Sequence, residues 1–284
     1  MRLIFLGDLA GRTGRDGLAQ HLPALRERFK ADAVIVNVEN AASGWGVTLK
    51  IAREVLAMGV DVMTSGNHIW DQKEMMSSIA LVPQLIRPIN YPQNMPGQGF
   101  YRHTLADGRR LLVVQALGQF GFKYVLDDPF AAMDAFLTRY PLKKEADALV
   151  VDFHADITSE KVAMSHYLDG RVSAVIGSHT HIPTADARVL QGGTAAQTDA
   201  GMCGDYNSVI GMKKELSIWR MTHKAQGERL SPAEGPATIC GVFIETDDAT
   251  GLAKSIVRIQ VGAGLDNPPL RGENDPGALT PPHK

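Results

Sequence analysis

The stretch SAVIGSHTH (173–181) joins an apolar run to two histidines separated by one threonine. The apolar part has the length and composition of a strand that is buried on both faces. Side chains repeat every two residues along a strand, so a continuing strand would point His179 and His181 to the same face. Two imidazoles on one face can hold a metal ion. The stretch therefore predicts a buried strand that ends in a metal-binding pair.

Five other short apolar runs are bounded by glycine or polar residues: LIFLGD (3–8), AVIVNVEN (33–40), VDVMTSGNH (60–68), RLLVVQALG (110–118) and ALVVDFHAD (148–156). The segments between them have the composition and length of helices, at 14–31, 48–59, 71–82, 128–140 and 159–170. Thr48 and Asp71 are suitable N-cap residues, and Gly59 is a suitable C-terminal glycine. This alternation predicts an α/β fold with layered helices.

The last third of the chain has a different pattern. The runs TICGVFIETDD (238–248) and AKSIVRIQV (253–261) predict an antiparallel hairpin, and we expect a turn at IWRM (218–221). From residue 262 to 284 the chain is rich in Gly and Pro, which predicts a disordered or surface-draped tail. We therefore expect a single domain at 1–261.

Charge and cysteine content narrow the classes of function. Lys and Arg total 29 against 31 Asp and Glu, so the formal net charge is -2. This near-balance argues against a duplex-DNA binder, although it allows a small anionic substrate. Cys203 and Cys240 are expected to be reduced thiols, and the apolar runs are too short for a signal peptide or a membrane span. We expect a cytoplasmic protein without a membrane partner; a homo-oligomer remains open.

Polar residues gather at the ends of the predicted strands. In an open α/β sheet, ligands bind outside the carboxyl ends of the strands. Each polar residue alone has an ordinary explanation, because an aspartate can cap a turn and a histidine can be hydrogen-bonded in a core. Together they predict one site, with these members: Asp8, Glu39, Asn40, Asn67, His68, His154, Asp156, His179 and His181.

The side-chain types in this set indicate the class of metal. No cysteine lies near the cluster in sequence, which argues against a structural zinc site and an iron–sulfur cluster. Imidazole, carboxylate and amide oxygen together suit Mn, Fe, Co or Zn better than Ca²⁺. Six or more ligands are too many for one tetrahedral ion, and two neighbouring ions bridged by a carboxylate would use them all.

The motifs GD (7–8), NVEN (37–40), GNH (66–68), FHA (153–155) and GSHTH (177–181) resemble those of the calcineurin-type metallophosphoesterases. That resemblance implies a layered α/β/β/α sandwich with a dinuclear metal site at its strand ends. The sequence departs from the usual pattern at three positions. Ala10 stands in place of a histidine, Glu39 in place of an aspartate, and Ile69 in place of an acidic residue.

These departures, with VNVENAASGWGVT (36–48), TSGNHIWDQKE (64–74) and TDAGMCG (198–204), resemble the bacterial YmdB-like phosphodiesterases of 2′,3′-cyclic nucleotides. The resemblance implies two transition-metal ions, Fe or Mn foremost, with Zn, Co and Mg as alternatives. It assigns one ion to Asp8, Glu39, Asn40 and His181. It assigns the other to Glu39, Asn67, His154 and His179.

The same resemblance implies a reaction. A hydroxide bridging the two ions would attack the phosphorus, and His68 would protonate the departing ribose oxygen to release a 3′-nucleotide. Residues that we predict to contact the nucleotide are Trp45, Arg12, Phe120 and Tyr206, with packing as the alternative for Trp45 and Phe120 and solvation as the alternative for Arg12. Two other functions stay open: a phosphomonoesterase, nuclease or protein phosphatase on the same centre, and a regulatory nucleotide-binding protein with incidental turnover.

Overall fold

The computed structural model describes residues 1–225 and 227–265. Its strands are β1 (Arg2–Leu6), β2 (Asp8–Leu9), β3 (Ala33–Asn37), β4 (Val62–Thr64), β5 (Phe100–Thr104), β6 (Arg110–Leu117), β7 (Ala148–His154), β8 (Ala174–Ser178), β9 (Arg188–Val189), β10 (Ala195–Gln197), β11 (Met202–Asp205), β12 (Ala237–Thr246) and β13 (Ala253–Gly262). Its α-helices are α1 (Gly11–Phe29), α2 (Leu49–Ala57), α3 (Met75–Ser78), α4 (Pro129–Arg139), α5 (Thr158–Tyr167) and α6 (Lys214–His223), and a 3-10 helix covers Ile79–Leu81.

The strands of the described residues form two sheets. One has the order β2-β11-β12-β1-β3-β4, with β13 paired to β12, and the other has the order β5-β6-β7-β8-β10-β9. Strands β1, β3 and β4 are parallel in the first sheet, and β6, β7, β8 and β10 are parallel in the second. The carboxyl ends of these parallel strands therefore lie at a common edge of each sheet, where ligands bind in α/β folds.

Three apolar clusters hold the layers together. Side chains of both sheets, among them Phe5 and Val150, pack in one cluster between the sheets. Helix α1 packs through Leu18 on the other face of the first sheet. Helices α4 and α5 pack through Met133 and Met164 on the other face of the second sheet. The expectation of a mixed α/β fold is confirmed, because apolar strands of this kind need cover on both faces.

The structure confirms two of the three predicted helix ends. Thr48 Oγ1 accepts a hydrogen bond of 3.1 Å from the amide of Ile51 and so caps α2. Gly59 follows α2 with a φ of +98°, a conformation that glycine adopts without strain. The predicted cap at Asp71 is wrong, since α3 begins only at Met75.

The later part of the chain partly matches its prediction. Strands β12 and β13 form the expected antiparallel hairpin. The turn expected at 218–221 is wrong, because these residues lie inside α6, a segment without Gly or Pro to stop a helix. Gly262 is the last residue of β13 and so does not begin the tail, and residues 266–284 of the predicted tail lie outside the described residues. No helix within 1–225 and 227–265 is long and apolar enough to cross a membrane.

Candidate metal centre

The structure brings the predicted polar residues together at the strand edge that the two sheets share. Ligand atoms of Glu39, His154 and His179 lie within 4.8 Å of one another, and so do those of Asp8, Glu39 and His181. Glu39 belongs to both groups. Each group could hold a cation, and a shared carboxylate is the arrangement expected for neighbouring ions.

In the first group, several acceptors converge on one ring nitrogen. Nε2 of His154 lies 3.1 Å from Glu39 Oε1, 3.0 Å from Asn67 Oδ1 and 3.1 Å from His179 Nδ1. A single N–H could serve only one of these three atoms. A cation held among them would satisfy all of them at once.

The other nitrogen of His154 has a defined partner. Nδ1 lies 2.8 Å from Ser178 Oγ, and that hydroxyl donates its proton to Asp152 Oδ1 at 2.6 Å. Ser178 can therefore only accept from His154, which places a proton on Nδ1. Partners of this kind fix the ring of a metal-binding histidine and leave its other nitrogen for the ion.

The second group shows the same arrangement at His181. Its Nδ1 donates to the carbonyl of Ile210 at 2.8 Å, so its Nε2 carries a lone pair in the neutral ring. That nitrogen lies 3.1 Å from Asn40 Oδ1, whose amide nitrogen donates to the carbonyl of Gly44 at 3.0 Å. Two acceptors thus face each other, which is favourable only with a cation between them.

Buried oxygen atoms add to the demand for positive charge. Among the described residues, buried Asp8 Oδ1 has no hydrogen-bond partner, and buried Glu39 Oε1 has only the shared Nε2 of His154 beside it, at 3.1 Å. Burying an ionised carboxylate without compensation is costly. The donor set and these two oxygens therefore fit metal ions.

The pKa values describe the same imbalance of charge. Burial raises the pKa of Asp8 well above its usual range. Burial also raises that of Glu39, but the charge of His154 outweighs it and lowers the Glu39 pKa to about 2. Burial lowers the pKa of His154, and the charges of Glu39 and Asp8 outweigh it and raise this pKa to about 9. Without another cation a proton on His154 supplies the missing charge, and a metal ion would take the place of that proton.

The two histidines of the opening stretch do not lie on a strand. Strand β8 ends at Ser178, and His179 and His181 have φ values of +104° and +67°. The expectation that strand alternation pairs the rings is wrong, because the chain turns at this point. Non-glycine residues with positive φ persist where surrounding contacts hold them.

A buried ion pair holds this turn. Asp199 Oδ2 accepts from the amide of Thr180 at 3.0 Å and from Lys161 Nζ at 2.6 Å. Both side chains of the pair are 1% exposed. A second carboxylate, Asp8, accepts from the amide of His179 at 3.1 Å through Oδ2. The turn is thus fixed from two sides.

His68 lies beside the cluster and has its own carboxylate partner. Its Nδ1 lies 2.7 Å from Asp71 Oδ2, and its amide donates to Glu39 Oε2 at 3.2 Å. The ring packs edge-on against Trp45, with centroids 4.9 Å apart. Asp71 therefore orients His68 rather than capping a helix.

A cavity of about 240 Å³ opens against the cluster. Its lining residues include Trp45 and His68, the two residues that we predict to face the substrate. Arg12 is exposed at the start of α1, and Phe120 is 57% exposed; neither is part of this lining. Tyr206 is also outside it, with its hydroxyl 2.9 Å from the amide of Met202.

The sequence profile of the family described as YmdB-like protein matches residues 4–259. The chain belongs to the YmdB-like family. Over 261 residues it is 42% identical to the 2′,3′-cyclic-nucleotide 2′-phosphodiesterase of Bacillus subtilis (strain 168). This alignment covers 92% of this chain and 97% of that protein.

Solved structures resemble this YmdB-like chain over similar lengths. A hypothetical protein from Thermus thermophilus is 39% identical with a TM-score of 0.84, covering 92% of this chain and 99% of that one. A novel phosphatase from Mycoplasma pneumoniae is 33% identical with a TM-score of 0.85, covering 92% and 93%.

The structure shows the surroundings of two of the departures from the general metallophosphoesterase motifs in this YmdB-like protein. Ala10 is buried beside Gly204 and Gly211, where an added Cβ would lie 3.0 Å and 3.3 Å from Ala10 Cβ. Ile69 is buried in the core, and Asp71 supplies the carboxylate beside His68 instead.

Several residues around the centre had escaped the sequence reasoning: Asp71 as a partner of His68, Asp152, Ser178, Lys161 and Asp199. Asp152 offered a signal, because it is a carboxylate inside the apolar run of β7. Lys161 and Asp199 offered none, since the two residues are distant in sequence.

Proposed function

We propose that this YmdB-like protein is a metal-dependent phosphodiesterase that hydrolyses 2′,3′-cyclic nucleotides to 3′-nucleotides. The observation that carries the proposal is the convergence of acceptors on His154 Nε2 and His181 Nε2 around the shared Glu39. The name of the Bacillus subtilis relative supports the substrate.

We assign two ions to the centre, Fe or Mn foremost. Asp8, Glu39, Asn40 and His181 would hold one, and Glu39, Asn67, His154 and His179 would hold the other. The catalytic domain would cover 1–261 and act in the cytoplasm. When bound, such ions lower the pKa of water and neutralise charge on the phosphate.

His68 would move the proton. Asp71 holds the ring by Nδ1, so Nε2 is left to face the substrate. From there it would protonate the departing 2′-oxygen of the ribose, which is the role of a general acid. Retention of the bond to the 3′-oxygen gives a 3′-nucleotide.

The test is a substrate panel with metal-replete protein. It compares 2′,3′-cAMP, 3′,5′-cAMP, bis-p-nitrophenyl phosphate and p-nitrophenyl phosphate, with metal content measured on the same sample. We expect 2′,3′-cAMP to be the preferred substrate and 3′-AMP to be its product by chromatography. A preference for the monoester, or release of 2′-AMP, would contradict the proposal.

A further inference from the structure

The residues that line the cavity beside the metal centre are of two chemical kinds. Polar lining residues of the metal centre are Glu39, Asn40, His68, His179 and His181. Apolar lining residues, which we call the apolar wall, are Val209, Ile210, Met212, Met221 and Leu230. The reaction at the metal centre needs no such apolar surface, so we expect the apolar wall to contact an apolar part of the ligand.

Two unpaired donors belong to side chains that line this cavity. Trp45 Nε1 and Arg220 Nε are buried and, within the described part of the chain, have no hydrogen-bond partner. An unpaired buried N–H is unfavourable, and a ligand that offers acceptors would relieve it. A flat group with an apolar face and acceptor atoms at its edge fits both the wall and the donors.

The charge of the lining favours a small ligand over a polymer. Among the described lining residues Arg220 is the single Lys or Arg, and its Nη2 donates to the carbonyls of Gly227 and Glu228. Polymeric nucleic acid is bound through many phosphate contacts to Lys and Arg. Here the one phosphate of the ligand would be neutralised at the metal centre.

We infer that the apolar wall, with Trp45 and Arg220, binds the base of a single nucleoside 2′,3′-cyclic phosphate while the phosphate lies at the metal centre. The inference rests on the proposed function. Apolar contact with a base is sequence-tolerant because each base has a π-face. Trp45 Nε1 and Arg220 Nε would donate to ring nitrogens or carbonyl oxygens of that base.

The experiment compares 2′,3′-cAMP with ribose 2′,3′-cyclic phosphate, which has the same reacting group and no base. The main variant is Met221→Ala/Leu230→Ala. Its control is Ile218→Ala on α6, the helix that carries Met221; Ile218 is 52% exposed and outside the lining. A second variant, Trp45→Phe, keeps an aromatic ring and removes the donor.

We expect the double variant to raise KM for 2′,3′-cAMP by about 10-fold, within the range of base-stacking contributions, with kcat unchanged. Kinetics with ribose 2′,3′-cyclic phosphate should be unaffected, and so should both substrates in the control. Trp45→Phe should raise KM for 2′,3′-cAMP alone, by less.

Two outcomes would overturn the inference: equal effects on both cyclic compounds, or no effect of the double variant on KM for 2′,3′-cAMP. Failure of the proposed function gives a different result. In that case the wild-type protein would cleave bis-p-nitrophenyl phosphate and neither cyclic compound.

Discussion

His154 and the turn that carries His179 and His181 present the same kind of side chain by different means. His154 is the last residue of β7 and pairs in register with Leu117 of β6 and Ser178 of β8. The turn lies beyond β8, with positive φ at both histidines. Regular hydrogen bonding positions the first, and contacts from distant segments position the others. A ligand that lies beyond the end of a strand thus depends on contacts with distant segments for its position.

The two regions also contribute ligands to the metal centre differently. His154 belongs to the group with Glu39 and His179, whereas the turn supplies His179 to that group and His181 to the other. Damage to the support of His154 should therefore weaken one ion. Damage to the turn should weaken both.

The largest effect is expected where the two groups meet, at Glu39. Glu39→Gln keeps the shape of the side chain and removes the charge shared by both groups. We expect loss of both ions and a fall in activity of more than about 100-fold, because outer partners alone cost 10–100-fold. Mass-spectrometric metal analysis checks it, with Glu145→Gln, a partly exposed carboxylate that pairs with Arg102, as the control. Wild-type metal content in Glu39→Gln would refute the shared role.

His68 belongs to neither region, and a variant at this position tests catalysis separately from metal binding. His68→Ala should lower kcat by about 10²–10⁴-fold, the range for a general acid, with both ions retained. The exposed His166 on α5 provides the control His166→Ala. If His68→Ala loses an ion, His68 is a ligand instead.

Asp199 tests the turn. Asp199→Asn leaves the buried Lys161 without its carboxylate, which should lower the free energy of unfolding by about 3–5 kcal/mol. Affinity for both ions should fall by about 10–100-fold, as measured by titration with a metal indicator.

The double variant Lys161→Met/Asp199→Leu separates stability from positioning. Replacing both members of a buried pair with apolar residues is often neutral, so the melting temperature should recover. The amide of Thr180 still lacks its acceptor, so metal affinity should stay low. Recovery of both the melting temperature and the metal affinity would show that the pair only stabilises the fold.

Ser178 tests the strand side. Ser178→Ala removes the acceptor of His154 Nδ1 and a donor to Asp152, which should destabilise the fold by about 1–3 kcal/mol. One ion should be weakened by about 10–100-fold and the other retained. Ser173→Ala is the control, because Ser173 is a buried serine just before β8 that bonds Gly251 and Leu149 instead. Equal loss of both ions from Ser178→Ala would contradict the expected difference between the strand end and the turn.

The smallest effect concerns pH. Burial raises the pKa of Asp186, but hydrogen bonds from Thr184 and Thr198 outweigh it and lower this pKa. A carboxylate whose pKa is lowered by folding stabilises the folded state at pH values above its ordinary pKa of about 3.9. This stabilisation is lost as the pH falls through the folded-state pKa. Asp186→Asn should lower Tm by about 2 °C at pH 7, with the difference from wild type vanishing in acid. A difference that is constant with pH would exclude this linkage.

Strand and helix types followed from local pattern, although some ends did not. The apolar run before His154 predicted β7, and the polar residues after such runs predicted the members of the cluster. The turn at IWRM was wrong, because the segment of α6 contains no Gly or Pro that would stop a helix. Asp71 was misjudged as a cap, because its partner His68 lies three residues before it in a loop of no regular period.

The sequence by itself determined the alternation of buried strands and helices, and which residues stand at the strand ends, because both depend on patterns a few residues long. Tertiary structure decided how the histidine turn is held, which hydroxyl orients the ring of His154, and which apolar side chains line the cavity beside the metal centre. Lys161 and Asp199 meet only after β8, β10 and α5 have packed together. Contacts between residues so distant in the chain leave no periodic trace in the sequence, and they exist only once the core excludes water around them.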